Sequence, residues 1–191
     1  MSTALVSRFA IFEVEINKDD WIEWATGAGI DYRITSYINF RPDHLYNFIP
    51  SAAEQPYASP RTWEMLDRVL KKTPDFNKQH SPILNALIGE GVASEYLTFL
   101  ELQKELPTFQ QVIDNPENVK LGNDLSIRWA LMGMVSHNVT EPSLEAVIKF
   151  IKRFSDDLQV VAMREIIQRH PDLKAKPAFN QWINELSKVF K

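Results

Sequence analysis

The chain has 191 residues, of which 45% are hydrophobic and 24% charged, so it is long and apolar enough to bury a core. Its net charge of −4 argues against specific nucleic-acid binding and against general attraction to an anionic membrane. It has no cysteine, which excludes disulfides, thiol catalysis and thiolate metal sites and fits a reducing compartment. Because there is also no apolar run of transmembrane length and no signal-peptide core, we expect a cytoplasmic protein without a membrane partner.

One strand is predicted, at residues 9–16. The run Phe-Glu-Val-Glu-Ile that begins at position 12 alternates apolar and acidic side chains, which is the period of a half-buried strand. A strand must pair its backbone groups, and no partner strand is predicted elsewhere in the chain. We therefore expect residues 1–16 to be the end of a larger domain whose sheet lies upstream. The alternative is pairing with another chain.

The rest of the chain predicts helices, and Asn17 caps the first of them. Acidic residues occupy its first turn, as the helix dipole favours, and it ends near Gly27. Residues 31–40 predict a second helix with apolar side chains at helical spacing, and Pro42 begins a further short turn. Residues 50–58 show no such periodicity and predict a loop.

The helix that begins at Ser59 is the most informative one. Ser59 is a good cap, and Pro60 at the first helical position loses no backbone hydrogen bond. Arg61 points away from the apolar stripe of this helix and lies at the positive end of the dipole, where a cation is unfavourable. The guanidinium and the free N–H groups of the first turn together predict an anion site. The alternative is an ordinary solvated arginine.

Further helices are predicted after a loop at residues 73–82. Apolar residues recur at helical spacing in seven segments, at residues 83–88, 92–100, 109–113, 125–135, 144–154, 160–167 and 179–190. The predicted fold class is therefore all-α, with one strand at the N-terminal end.

Several kinds of active site are not encoded. The chain has no G-x-x-x-x-G-K-[ST] phosphate loop and no G-x-S-x-G nucleophile turn. The two G-x-G pairs, which begin at Gly27 and Gly89, lack the third glycine of a dinucleotide fingerprint. The four histidines are far apart in sequence, so we expect no metal site. The chain alone shows no complete catalytic centre.

Four segments, in this order, resemble the C-terminal part of AAA+ ATPases: ALVSRF, DDWIEWA, ASPRTWE and IGEGVASEYLTFL. The closest resemblance is to the MoxR-like group, including its phage and prophage relatives. In such proteins an arginine after the sensor-1 strand acts on the nucleotide of the neighbouring subunit, and a P-R-x-W helix start carries the sensor-2 arginine. The resemblance implies that Arg8 takes the finger role and Arg61 the sensor-2 role. It places Pro60 and Thr62 beside Arg61 in the nucleotide site.

The resemblance also implies an organisation of the chain. Residues 1–16 would end the AAA+ core with the last strand of its nucleotide-binding sheet, residues 17–105 would form a helical lid bundle, and residues 106–191 a C-terminal helical extension. Because Walker A and Walker B are missing, the chain alone is expected to be inactive, and ATP with Mg²⁺ would bind only with the missing core. The implied partners are that upstream core, neighbouring subunits of a homo-oligomeric ring (expected to be a hexamer) and a protein client that the ring remodels.

A second class of function remains open. The chain can instead be a self-standing helical protein–protein interaction module, such as an adaptor or a phage accessory protein, without nucleotide. The DNA upstream of Met1 discriminates between the two: an in-frame phosphate loop there supports the ATPase assignment, and a ribosome-binding site with a stop codon supports the module.

Overall fold

A computed structural model describes residues 8, 10, 12, 15–52, 54–73 and 75–188. In this part of the chain the regular structure is helical throughout, which confirms the all-α prediction. The predicted strand at residues 9–16 includes four positions that lie outside the described residues, so it stays a prediction. The described chain contains ten α-helices: α1 (Lys18–Gly27), α2 (Tyr32–Phe40), α3 (Pro60–Lys72), α4 (Ser81–Ile88), α5 (Glu90–Lys104), α6 (Phe109–Asp114), α7 (Leu125–Asn138), α8 (Leu144–Ile151), α9 (Asp156–Arg169) and α10 (Pro177–Leu186).

Local signals place the beginnings of the helices. The Asn17 side-chain oxygen accepts hydrogen bonds from the backbone N–H groups of Asp19 and Asp20, at 2.8 and 3.2 Å, as a cap of α1. Ser59 and Thr62 cap α3 reciprocally, each side-chain oxygen accepting from the other residue's N–H. The predicted caps of these two helices are therefore confirmed.

The core consists of two apolar clusters. Helices α1 to α5 supply the first, around the fully buried rings of Tyr37, Trp63 and Tyr96. Helices α6 to α10 supply the second, which contains Phe179 and Trp182. The predicted apolar stripes therefore face a core over most of their described residues, although Leu125 is 50% exposed. Burial of the large side chains is the main term that stabilises the fold.

The two clusters are joined rather than separate. Ala130 of α7 packs in the first cluster, and Leu106 packs against both. Helix α7 lies against α2, and α9 lies against α7 and α1. The change from one cluster to the other falls near the predicted boundary between residues 105 and 106. Because α7 lies after this boundary but contributes Ala130 to the first cluster, the division into a lid and an extension stays a prediction.

Over the described ranges, no helix is both long enough and apolar enough to cross a membrane.

Candidate functional site

Arg61 is the second residue of α3, and its side chain is exposed. Trp63, two positions later, has no exposed surface, so Arg61 points away from the buried stripe as predicted. The guanidinium of Arg61 has no hydrogen bond or ion pair with another described residue, whereas Arg68 on the same helix pairs with Glu64. Arg61 therefore offers a positive charge that the described chain does not neutralise.

An open groove of about 540 Å³ begins at Arg61. Three of the four predicted site residues line it, namely Pro60, Arg61 and Thr62. The loop before α3 and the end of α4 supply the rest: Gln55, Pro56, Tyr57, Ser59, Ala86 and Leu87. Arg8, the fourth predicted residue, is exposed but is not among these lining residues. The structure therefore brings Pro60, Arg61 and Thr62 together, but not Arg8.

The start of α3 offers fewer donors than the sequence predicts. Pro60 has no N–H, and the N–H of Thr62 donates to the Ser59 hydroxyl at 3.3 Å. The Thr62 hydroxyl is itself used in the cap, since it accepts from the Ser59 N–H at 2.8 Å. Only the Arg61 N–H of the first turn remains for a ligand, so the prediction of several free N–H groups is wrong. Thr62 shapes this helix start instead of offering a free hydroxyl.

Gly89 supports the opposite wall of the groove. It lies between α4 and α5 with a φ of +78°, a backbone conformation that residues other than glycine rarely adopt. A Cβ atom here would lie 2.6 Å from the carbonyl oxygen of Pro56, because the loop backbone rests directly on this glycine. A second anchor is the pair formed by Asn47 and Ala58, in which the Ala58 N–H donates to the Asn47 side chain at 2.8 Å.

Trp63 holds the first turn of α3 in place from the core side of the helix. Its indole N–H donates to the carbonyl oxygen of His44 at 2.9 Å, and its ring meets Tyr96 edge to face at 5.2 Å. Buried aromatic contacts of this kind position a helix strongly because the rings have few alternative rotamers in a packed core. The Arg61 backbone is therefore held in one place although its side chain is free.

The His44 ring belongs to a buried network beside Trp63. Arg41 Nη2 lies 3.0 Å from His44 Nε2 and can only donate, so Nε2 must accept and the proton is on Nδ1, 2.7 Å from the Tyr37 hydroxyl. Burial lowers the pKa of His44, and the charge of Arg41 lowers it further. His44 is therefore a neutral structural residue, with almost no exposed surface for a substrate.

A partly exposed aromatic cluster adjoins the groove. Tyr46, Phe48 and Tyr57 lie with ring centroids 4.9 to 6.4 Å apart, and Tyr57 also lines the groove. Tyr46 is 44% exposed and Ile49 57%. This cluster was not predicted, because residues 50–58 show no helical periodicity and were interpreted only as a loop. The density of aromatic residues between positions 46 and 57 was the available signal.

The described residues include no group of three or more histidine, aspartate or glutamate side chains placed to hold a metal ion. Comparison of the chain with family models, with curated proteins and with solved structures finds no match. A functional assignment therefore depends on the residues and on their geometry. The groove at Arg61 combines an exposed, unpaired charge with a fixed helix start, and it is therefore the best candidate for a binding site among the described residues.

Proposed function

We propose that this chain is the C-terminal lid region of an AAA+ ATPase, and that Arg61 contacts the γ-phosphate of a nucleotide bound by an upstream core domain. One observation carries the proposal: Arg61 is exposed and unpaired among the described residues, at the start of a helix that is fixed in the core. An arginine with this placement is suited to a multiply charged phosphate, which it can bind with two parallel hydrogen bonds.

The mechanism follows from where the arginine is attached. Phosphoryl transfer is catalysed mainly by positive charge positioned around the γ-phosphate. When that charge is carried by a separate lid, the contact exists only while the phosphate is present, so the state of the nucleotide biases the orientation of the lid. Trp63 and the Ser59–Thr62 cap would transmit this bias to the rest of the helical body.

The remaining parts of the proposal come from the resemblance. Arg8 acts on the nucleotide of the neighbouring subunit, and Pro60 and Thr62 shape the sensor-2 position around Arg61. ATP and Mg²⁺ are held by the upstream core, and the parent protein assembles as a ring, taken to be a hexamer, that remodels a protein client in the cytoplasm. Hydrolysis would be an activity of the parent protein and not of this chain alone.

Arg61→Ala tests the proposal in the parent protein with its upstream domain. We expect ATP turnover to fall by about a hundredfold or more, or about 2.7 kcal/mol of transition-state stabilisation. The free energy of unfolding should change by no more than about 0.5 kcal/mol, because no buried contact is lost. Steady-state phosphate release and thermal unfolding measure the two effects.

Arg68→Ala is the matched control, since Arg68 is a second exposed arginine of α3 but pairs with Glu64. It should leave turnover unchanged. If Arg61→Ala hydrolyses ATP at the parent rate, the sensor-2 assignment is wrong.

The second candidate, a protein–protein interaction module without nucleotide, is favoured by the exposed side chains of Tyr46 and Ile49, which lie beside the half-buried rings of Phe48 and Tyr57. Arg61→Ala and a further variant, Ile49→Ser, separate the candidates when partner binding is measured beside turnover. The module predicts that Ile49→Ser weakens partner binding and that Arg61→Ala has no nucleotide-dependent effect. The ATPase assignment predicts that turnover depends on Arg61.

A further inference from the structure

Polar side chains join the two core clusters where α9 meets α1 and α2. Glu165 Oε1 accepts a hydrogen bond from the Asn39 amide at 3.2 Å. One turn later, Arg169 donates to the carbonyl oxygen of Ile30 at 3.4 Å and to the hydroxyl of Thr35 at 3.1 Å. We call this contact the polar seam. It connects residues more than a hundred positions apart in sequence.

Glu165 is the most deeply buried charged residue of the seam, with 1% of its surface exposed. Its second carboxyl oxygen, Oε2, is buried without a hydrogen-bond partner among the described residues. Arg169 Nε is likewise buried without a hydrogen-bond partner among the described residues. A buried carboxylate with one neutral hydrogen bond is costly, because desolvation penalises the charged form and little compensates for it.

Charged groups approach Glu165 from its own helix and from α1. A small cavity of about 110 Å³ beside it is lined by Lys18, Asp19, Asp20, Ile22, Glu23, Asn39, Val161, Arg164, Glu165 and Gln168. Lys18 is already engaged, since its ammonium group contacts Asp19 at 2.5 Å and donates to the side-chain Oδ1 of Asn39 at 3.4 Å. Helix α2 presents the neutral amide of Asn39 to Glu165, and Asp31 at its N-terminal cap places a carboxylate near Arg169. From α7, the titratable group near the seam is His137, which interacts with Arg169.

We propose that the neutral carboxyl group of Glu165 holds α9 against α1 and α2, and that loss of its proton opens the polar seam. In the neutral form the carboxyl group keeps its bond to Asn39 and adds no buried charge. In the ionised form Oε2 carries charge and needs a donor. The Nε of Arg169, at the i+4 position of the same helix, is a buried donor that has no partner among the described residues, and the order of acid before base is the favourable one.

Pairing within α9 would weaken the seam. If Arg169 turns to Glu165, its guanidinium leaves the Ile30 carbonyl and the Thr35 hydroxyl, which belong to the other half of the molecule. If water enters the cavity instead, the carboxylate is solvated and the bond to Asn39 competes with water. In both cases a hydrogen bond between α9 and the first half of the chain is replaced by an interaction within α9 or with water.

Linkage gives the direction of the pH dependence. Burial raises the pKa of Glu165 to about 7, although Arg169, the Asn39 bond and Lys18 each act to lower it. When the seam opens, solvation returns the pKa towards its ordinary value of 4.5. The closed form therefore binds the proton more tightly, and opening is favoured as the pH rises from the lower of these values through the higher.

Native-state hydrogen exchange of the full chain, at pH 5.5 and pH 8, tests the proposal. After correction for the intrinsic exchange rates, the opening constant of the α9 amides should rise roughly tenfold to a hundredfold between the two. Glu165→Gln, which keeps the shape and the acceptor oxygen, should remove that rise. A carbon NMR titration of the Glu165 carboxyl in the unmodified chain should show a midpoint well above 4.5.

Glu23→Gln is the matched control, because Glu23 lines the same cavity but is exposed. It should keep the full pH dependence. The proposal is overturned if the α9 opening constant is the same at both pH values, if Glu165→Gln shows the same rise as the unmodified chain, or if Glu23→Gln removes the rise as well. A carboxyl midpoint at the ordinary glutamate value would also overturn it, whether or not the glutamine variant folds.

Discussion

Trp63 determines where its neighbour Arg61 stands. The indole is completely buried, and its N–H has a partner in the His44 carbonyl, so both its apolar and its polar requirements are met. Arg61 has no comparable contact with the described residues. The position of the charge therefore depends on a buried neighbour, and stability and the availability of the charge are separate properties at this helix start.

Substitution of Trp63 should separate those properties. Trp63→Ala should lower the free energy of unfolding by about 3–5 kcal/mol, because it removes a large ring from a close-packed core. Trp63→Phe should cost less, since the ring remains and the lost terms are one hydrogen bond, about 1–3 kcal/mol, and some volume. Chemical denaturation measures both. Equal stability of Trp63→Ala and the unmodified chain would contradict the burial described here.

Among the elements, the junction between α4 and α5 affects the groove most directly. Gly89 ends one helix and begins the next with φ at +78° and ψ at 152°, a region that is almost exclusive to glycine. The loop before α3 rests on it through the Pro56 carbonyl. The α4–α5 junction and the loop that leads into α3 are thus in contact at a point where there is no room for a side chain on Gly89.

Gly89→Ala should therefore destabilise the chain by about 1–3 kcal/mol from backbone strain, with more from the contact with Pro56. It should also displace the loop and change the groove at Arg61, without any change in charge. Gly91→Ala is the control, because Gly91 is helical and a Cβ there meets nothing within 4 Å. Thermal unfolding compares the two, and equal destabilisation by both would contradict this role of Gly89.

Elements were predictable because their signals are local. The caps at Asn17 and Ser59, and the stripe on α3, depend on residues within one or two turns of each other. The polar seam was not predictable in this way, since Asn39 and Glu165 meet only after the whole chain has folded. One signal was available: Glu165 follows Leu158 and Ala162 at helical spacing on the buried side of α9. A charged residue on an apolar stripe indicates a special contact.

At the scale of the whole molecule, the crossing of α2 and α7 sets how closely the two halves approach. Gly133 and Ser36 are both buried there, and a Cβ atom on Gly133 would lie 1.7 Å from the Ser36 hydroxyl oxygen and 3.0 Å from its Cβ. The absence of a side chain at one position makes the approach possible. Together with the bonds of Glu165 and Arg169, this crossing joins two cores that otherwise pack within their own segments.

Gly133→Ala should separate these helices and lower the free energy of unfolding by about 1–3 kcal/mol, the usual range for overpacking. Ser36→Gly should relieve part of that cost in the double variant, because the clashing side chain is removed. A double-mutant cycle by denaturation measures the coupling, which should be of order 0.5–3 kcal/mol. Strict additivity of the two changes would show that the helices do not meet at these residues.

The reciprocal cap at the start of α3 also has a consequence for sequence variation. Ser59, Pro60 and Thr62 each serve the geometry of the helix start, and Arg61 alone among the four serves none of it. Position 61 is thus free to vary without loss of the fold. If Arg61 has the proposed sensor-2 role, a single codon change there alters the response to a phosphate while the protein remains intact, so that response can be gained or lost independently of the architecture.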